Sequence, residues 1–587
     1  MTELWMKQAK LTPEDVTSLR EQLTRDIAVT EKNLHDLKVR YNATSPVYQL
    51  PPEIVYHIIL SYVSIHPPEE RYSTKAIQTS INVTHVCEYW RVVALNHATL
   101  WTTLYITPRL LGTDFVQSIL PRSRNLPLDV IVPRERPLRY MDPFFEKDAA
   151  HFLSLKALMQ AWPRIRSLDI SLFNEMNAIL AQLCDQDAIE LKSLALSDTL
   201  LYARAGEVVP LFITKRTPNL TDLRICRSEI TQAAYASFLL SSQLKSMTLD
   251  GARIDPEDLV ALLRATPTLE FLALNDLEIA TTLPDDSGLV ELPNLRRLEI
   301  RADEADITLG YAQLIRIPPT ASLSILLYRA LGDVNFARVT APLSLLFNNS
   351  MGTSAVRILD VRCNFDGLNI HGVRRVIPID EASFDRTRYP PDFSIVIGTV
   401  EDEFPDPSRV AEVLASLPFN QVQYLSIRDF RFKKEAWLRG FRHMKEVREL
   451  DYATPLSPNF DFPFLPNALV INSDSIQDEA AIIFPKLRLL NVELQELAPE
   501  SDENILELVQ RLRDALHTRQ RAGHKTHHRL FVRGADGAAT SRLRRLVRSI
   551  SWENPRAEFR TEGDYGWKPK SGLPVNLPEQ DLYVDWE

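Results

Sequence analysis

A fragment of the form Leu-x-x-Leu-x-Leu returns at nearly fixed distance through the middle of this 587-residue chain. It reads Ile165-x-x-Leu168-x-Ile170, Leu191-x-x-Leu194-x-Leu196 and Leu220-x-x-Leu223-x-Ile225, then Leu244-x-x-Met247-x-Leu249, Leu269-x-x-Leu272-x-Leu274 and Leu295-x-x-Leu298-x-Ile300. The first positions are 26, 29, 24, 25 and 26 residues apart. Such a period fixes the architecture, because a single repeat cannot bury its own apolar edge and must stack on its neighbours. The last two apolar positions point to one face of a short strand. The earlier one fills the turn that leads into it. The intervening residues hold a return helix, for which 236–240 and 259–263 are good candidates. The residue between the paired leucines then faces away from the core.

Further along, the period loosens. Leu323-x-x-Leu326-x-Tyr328, Val356-x-x-Leu359-x-Val361, Val422-x-x-Leu425-x-Ile427, Val447-x-x-Leu450-x-Tyr452 and Leu487-x-x-Leu490-x-Val492 still fit, and Phe393–Ile397 alternates like a strand. The pattern resembles degenerate leucine-rich repeats, with only Asn275 near the place of the asparagine that follows the strand in strict repeats. The predicted fold is therefore an α/β solenoid over 161–495; unrelated α/β domains with leucine-rich strands are the alternative. Asp222, Arg224, Thr248, Arg297 and Glu299, placed between core leucines, are the candidate residues for binding a protein substrate.

A different pattern precedes the array. Residues 50–55 read Leu-Pro-Pro-Glu-Ile-Val, residues 86–91 read Val-Cys-Glu-Tyr-Trp-Arg, and Leu100-Trp101 closes the stretch. Pro51 and Pro52 suit a helix start, where a missing N–H costs nothing, and Glu53 in the first turn favours the helix dipole. Ile54, Ile58 and Tyr62 recur every four residues on one face, and Val55 and Ile59 make a second apolar flank. A second helix is predicted from Ile81 to Leu95, with a stripe of Val83, Val86, Trp90 and Val93. This much apolar surface exceeds what one small helical core hides, so the unit calls for a partner.

These residues resemble an F-box in the version common among fungal F-box proteins, interrupted by a longer polar loop over 66–80. The resemblance implies an all-α unit over 46–106 that binds a Skp-type adaptor and through it a cullin. It assigns adaptor contacts to Leu50, Pro51, Pro52, Ile54, Ile58, Val86, Cys87, Trp90 and Trp101.

Residues 1–45 are expected to form an N-terminal amphipathic helix, from Pro13 through a seam of Leu23, Ile27, Thr30, Leu34, Leu37 and Tyr41. The helix is expected to fold back on the F-box-like unit, the alternative being a dimerisation arm. Residues 107–160 read as an entry segment capping the array, with a strand at 126–132. Residues 496–587 read as a C-terminal cap, with helices over 505–520 and 541–550, a strand at 528–532, a basic patch over 511–548 and a loosely ordered tail.

Composition excludes several classes. The four cysteines, at 87, 184, 226 and 363, form no close pair and fit reduced thiols in cytoplasm or nucleus. Formal net charge is −10, so nucleic acid is not the default partner. The chain has neither a Gly-x-Gly-x-x-Gly nor a Gly-x-x-x-x-Gly-Lys phosphate loop, nor the Gly-x-Ser-x-Gly and His-Glu-x-x-His motifs of hydrolases. No apolar run reaches the roughly 20 residues of a membrane helix. The expectation is a non-catalytic protein without cofactor or metal, the substrate-recognition subunit of a Skp–cullin–F-box ubiquitin ligase. The alternatives are a non-ligase F-box scaffold, or an enzyme hidden in the aperiodic region 300–420.

Overall fold

The computed structural model describes residues 13–64, 81–105, 113–132, 158, 161–172, 188–198, 217–227, 229–230, 243–278, 289–302, 305–328, 337–351, 356–364, 367–374, 391–398, 406–428, 433–455, 465–470, 482–495, 502–524 and 527–532. The predicted loop 66–80, the return helix 236–240, the helix 541–550 and the tail lie outside these residues. The chain divides into two compact units, Met1–Leu201 with Lys215–Asn219, and Tyr202–Thr214 with Leu220–Glu587.

The first unit opens with helix α1 (Pro13–Ala43), helix α2 (Pro52–Ser64) and helix α3 (Glu88–Asn96). The helix predicted from Ile81 is broken. Thr84 turns the chain, its N–H and its hydroxyl both bonding to the Ile81 carbonyl, the hydroxyl at 2.7 Å. Cys87 is the extended residue ahead of α3, with φ −159°. The break takes Val86 out of the predicted stripe. Val55, Ile59, Val83, Val93, Ala94, Leu100 and Trp101 make the buried core here.

Strand β1 (Thr103–Tyr105), helix α4 (Thr113–Ile119), and strands β2 (Leu128–Val132), β3 (Ile165–Leu172) and β4 (Ser193–Asp198) complete the unit. The four strands are parallel neighbours in chain order. The entry segment is thus already part of the stack rather than a separate cap: Leu128 and Val130 are buried and pair with Ile165 and Leu168.

The second unit repeats the plan. Strand β5 (Asp222–Cys226) is followed by the short β6 (Glu229–Ile230), β7 (Ser246–Asp250) by the short β8 (Arg253–Ile254), and helix α5 (Pro256–Arg264) returns the chain to β9 (Phe271–Asn275). Next come the short β10 (Val290–Glu291), β11 (Arg297–Ala302), helix α6 (Ala305–Gln313), the short β12 (Ile315–Arg316) and β13 (Ser322–Leu327). The long strands β5, β7, β9, β11 and β13 are parallel and in register. Leu223, Met247, Leu272, Leu298 and Leu323 form one buried row, and Ile225, Leu249, Leu274, Ile300 and Ile325 the next.

Three successive repeats leave their strands β5, β7 and β9 through the same turn. Arg227, Gly251 and Asp276 all take positive φ, at 53°, 57° and 45°. Their N–H groups donate to Asp250, Asn275 and Arg301 carbonyls on the following strand at 2.7–2.8 Å. In β13 the predicted register is three residues off, Leu323 and Ile325 pairing with Leu298 and Ile300 where Leu326 and Tyr328 were expected. Ile325 and Leu327 are buried, and Leu326 and Tyr328 are not.

The aperiodic region contains an inserted meander. After helix α7 (Ala337–Met351), strand β14 (Ile358–Asn364) turns into β15 (Gly367–Val373), which runs antiparallel to both β14 and β16 (Phe393–Gly398). β16 pairs in parallel with β13, and β14 with the next repeat strand. Two glycines permit this. A Cβ on Gly367, at φ 133°, would stand 2.1 Å from the Ile397 carbonyl oxygen, and one on Gly372 would stand 2.0 Å from the Phe393 ring. The Phe393 ring packs with Phe347 and Phe419 at centroid distances of 5.2 and 5.9 Å.

The stack then resumes with helix α8 (Pro407–Ser416), β17 (Tyr424–Arg428), helix α9 (Lys434–Phe441), β18 (Glu449–Pro455), helix α10 (Leu465–Leu469) and β19 (Leu489–Gln495). Helix α11 (Asp502–Arg521) and β20 (His527–Val532) follow, and β20 pairs in parallel with β19. The expected C-terminal cap therefore begins as one more repeat.

Candidate functional site

Two surfaces carry the residues singled out in the sequence. The first lies on the small helical unit. Helix α2 splits its apolar residues between two sides. Val55 and Ile59 are 0 % exposed, whereas Ile54 and Ile58 are 45 and 40 % exposed and Val86 is 58 % exposed. Tyr62 and Val92 are exposed as well. Pro51 and Pro52 are exposed at the start of α2, and Leu50, Cys87 and Trp90 are half-buried.

The pieces are held together by polar contacts made inside the unit. The Tyr89 hydroxyl donates to the Leu50 carbonyl at 2.5 Å, and the Tyr48 and Tyr89 rings meet at 4.8 Å. Tyr56 stacks on His97 at 3.9 Å. Its hydroxyl lies 2.5 Å from that of Thr99. These contacts tie the segment entering α2 to α3, so the outward apolar side is held by a folded frame.

Trp101 departs from its expected role. It is 4 % exposed, its indole N–H donates to the Ala94 carbonyl at 2.8 Å, and the Arg122 guanidinium lies 5.1 Å from the ring centre. The side chain is buried and its N–H and ring are engaged within the unit, so Trp101 closes the core and does not present a surface. Trp90, half in solvent, is also less of a core residue than the predicted stripe implies.

The second surface is the open side of the repeat strands in the second unit. In-register pairing sets Arg224, Thr248, Ala273 and Glu299 in one line across four strands. Asp222, Ser246, Phe271 and Arg297 form the adjacent line. The five sequence candidates are thus brought together on one face. Their charges are partly matched locally: Arg297 pairs with Glu299 and lies 5.9 Å from the Phe271 ring centre, and Arg224 stands 3.8 Å from Asp250.

The first line continues through residues the sequence did not single out. Ser324, Ser394, His371, Asp360, Ser426, Asp451 and Asn491 follow one another strand by strand. Asp360 and Ser426 are buried on this face. Arg362 approaches Asp360 at 3.6 Å. Burial, then the nearby Arg362 guanidinium, lowers the His371 pKa from 6.5 to about 4, so the imidazole is neutral at pH 7. Asp451 accepts from the Tyr424 hydroxyl and from Asn491 Nδ2 at 2.5 Å. Burial and that carboxylate push the Tyr424 hydroxyl well above the usual phenol range. The middle letter of each Leu-x-Leu would have exposed Asp360, Ser426, Asp451 and Asn491. His371 sits on the antiparallel β15 and carries no such signal.

The basic patch is in part internal. The Arg519 side chain is 0 % exposed and donates to the Ile483 and Phe484 carbonyls at 3.0 and 2.6 Å. Burial lowers its pKa to about 10. Arg511 pairs with Glu507 one turn earlier, and Arg513 with Asp514 at 3.1 Å. The side chains from Lys525 to Arg548 lie outside the described residues. Among the described residues no group of three His, Cys, Asp or Glu side chains is placed to hold a metal ion. No helix among them is long and apolar enough to cross a membrane.

No family model matches this sequence, and no curated protein matches it. Solved structures align with it at low similarity, among them these two. One is an internalin (inlF) from Listeria monocytogenes str. 4b F2365, at 11 % identity and a TM-score of 0.22, over 69 % of this chain and 88 % of that one. The other is the plant peptide hormone receptor RGFR1 in complex with RGF2, at 11 % identity and a TM-score of 0.22. There the alignment covers 67 % of this chain and 55 % of the receptor chain. TM-scores this low carry no weight for fold or function. The repeat architecture rests on the strand register and the buried rows described above.

Proposed function

We propose that this chain is a non-catalytic receptor subunit. Its helical unit docks a Skp-type adaptor of a cullin ubiquitin ligase, and its strand face binds a protein substrate. One observation carries the proposal: a small folded unit keeps Ile54, Ile58 and Val86 in water while Val55 and Ile59 fill its core. Isolated exposed apolar side chains are ordinary, but a contiguous apolar side on a small unit marks an interaction site. The exposed residues are largely those that the F-box resemblance assigns to the adaptor, with Leu50, Pro51 and Pro52 at the helix start.

In this role the chain performs no bond-breaking step. It raises the effective concentration of a substrate near a ubiquitin-bearing enzyme. The substrate contacts are assigned to Asp222, Arg224, Thr248, Arg297 and Glu299, extended by Asp451 and Asn491 on the same line. That line is polar and supplies both donors and acceptors, which favours a protein ligand read by side-chain hydrogen bonds. The second reading is an F-box scaffold that binds the adaptor without a cullin. The same exposed face supports it, and the two diverge only at the cullin.

Affinity purification of the full-length protein followed by mass spectrometry tests both. Adaptor and cullin are expected with wild type, and both are expected to vanish from Ile54→Asp/Ile58→Asp while substrates remain. Adaptor without cullin selects the scaffold. A wild type that brings down no adaptor, or a variant that retains it, refutes the docking assignment.

A further inference from the structure

We propose that helix α1 is a dimerisation arm that pairs antiparallel with α1 of a second copy of this chain. The helix spans 31 residues, and Leu23, Ile27, Thr30, Leu34, Leu37 and Tyr41 follow one another by four, three, four, three and four. That alternation lines them up along one side, as in the seam of a coiled coil. The seam is uncovered: Leu23 is 50 %, Ile27 56 %, Leu34 51 % and Leu37 61 % exposed. The helix does not fold its seam onto the F-box-like unit. Its His35 Nε2 stands 3.9 Å from the Glu88 carboxylate, and His35 lies off the seam. Helices in water draw most of their stability from packing an apolar side, so a seam of this length calls for an occupant.

The charges beside the seam identify that occupant. The first half of α1 carries Glu14, Asp15, Glu21 and Asp26 against Arg20 and Arg25. The second half carries Lys32, Lys38 and Arg40 against Glu31 and Asp36. The helix is therefore acidic at one end and basic at the other, complementary to itself when reversed. If Leu23 lies against Tyr41 of the second copy, then Ile27 lies against Leu37 and Thr30 against Leu34. Asp26, flanking the seam, then faces Arg40 of the second copy, twice by the two-fold axis. The Glu31 side chains meet at that axis, one like-charge contact. A parallel pair instead sets Asp26 against Glu31 at both places, with no compensating pair. Opposed helix dipoles favour the antiparallel arrangement as well. Asp26, Glu31, Lys38 and Arg40 are all exposed and thus accessible to a second copy.

Sedimentation equilibrium on the full-length protein tests the pairing. Wild type is expected to be dimeric. Ile27→Asp/Leu34→Asp is expected to be monomeric while the strand stack stays folded, because both side chains are exposed in the single chain and only the partner of α1 is lost. Asp26→Arg is expected to weaken the dimer, and Asp26→Arg/Arg40→Asp to restore it. Orientation is read by cross-linking under a mild thiol oxidant: a mixture of Leu23→Cys and Tyr41→Cys chains is expected to give the mixed link, with no link between two Leu23→Cys chains. A monomeric wild type, with the seam then left to another protein, overturns the proposal. So does a dimer that survives the double Asp change. A link between two Leu23→Cys chains overturns the antiparallel arrangement.

Discussion

Gly372 shows how one residue decides where the repeat pattern breaks. Its missing side chain leaves room for the Phe393 ring, which would stand 2.0 Å from any Cβ placed there. Gly372→Ala is expected to cost about 3 kcal/mol, the upper range for forcing extra volume into a packed core. Chemical denaturation would measure it, and Phe393→Leu in the same chain should recover part of the loss. His371 gives a second test at this scale. Its pKa falls from 6.5 to about 4 on folding, so the unfolded chain binds the extra proton first. The stability that depends on a neutral His371 is complete above pH 6.5 and is lost as pH falls through about 4. His371→Gln should therefore flatten the stability profile across that window, read as the denaturation midpoint at each pH. Neither residue was legible in the sequence. Glycine and histidine on an inserted antiparallel strand follow no repeat, whereas Arg224 and Glu299 could be placed from the leucines on either side.

At the scale of elements, periodicity located most strands and missed what interrupts them. The rows of Leu223, Met247 and Leu298 were readable because a period of two residues puts alternate side chains on one face. In β13 the run of apolar letters Ile325-Leu326-Leu327 permits two registers, and pairing with β11 selects the one that buries Ile325. The break before α3 was equally hidden, because Thr84 and Cys87 suit a helix or a turn, and the turn wins by Thr84 bonding back to Ile81. Helix α2 gives the sharpest element-scale prediction. Ile59→Asp puts an unpaired charge at a buried position, which is strongly unfavourable. It should unfold the helical unit, seen as lost helical circular dichroism. Ile54→Asp/Ile58→Asp changes exposed positions and should leave melting nearly unchanged, within about 0.5 kcal/mol per site. Equal damage from both variants would mean that the two sides of α2 are misassigned.

At the scale of the whole molecule, the proposed function assigns docking and recognition to two different surfaces. The helical unit presents apolar side chains, and the strand face presents alternating charges and hydroxyls. The sequence located both but not the limits between units, because the strands from Thr103 onward look alike on either side of residues 202–220. The strands couple mainly to nearest neighbours, as in other repeat stacks. Binding at the helical unit is therefore expected to leave distant strands unchanged. Hydrogen exchange on the full-length protein, with and without a purified Skp-type adaptor, tests the central claim most directly. The prediction is slowed exchange in helices α2 and α3, with no change over strands β5 to β19. Unchanged exchange in α2 and α3, or protection confined to the strand face, would contradict it.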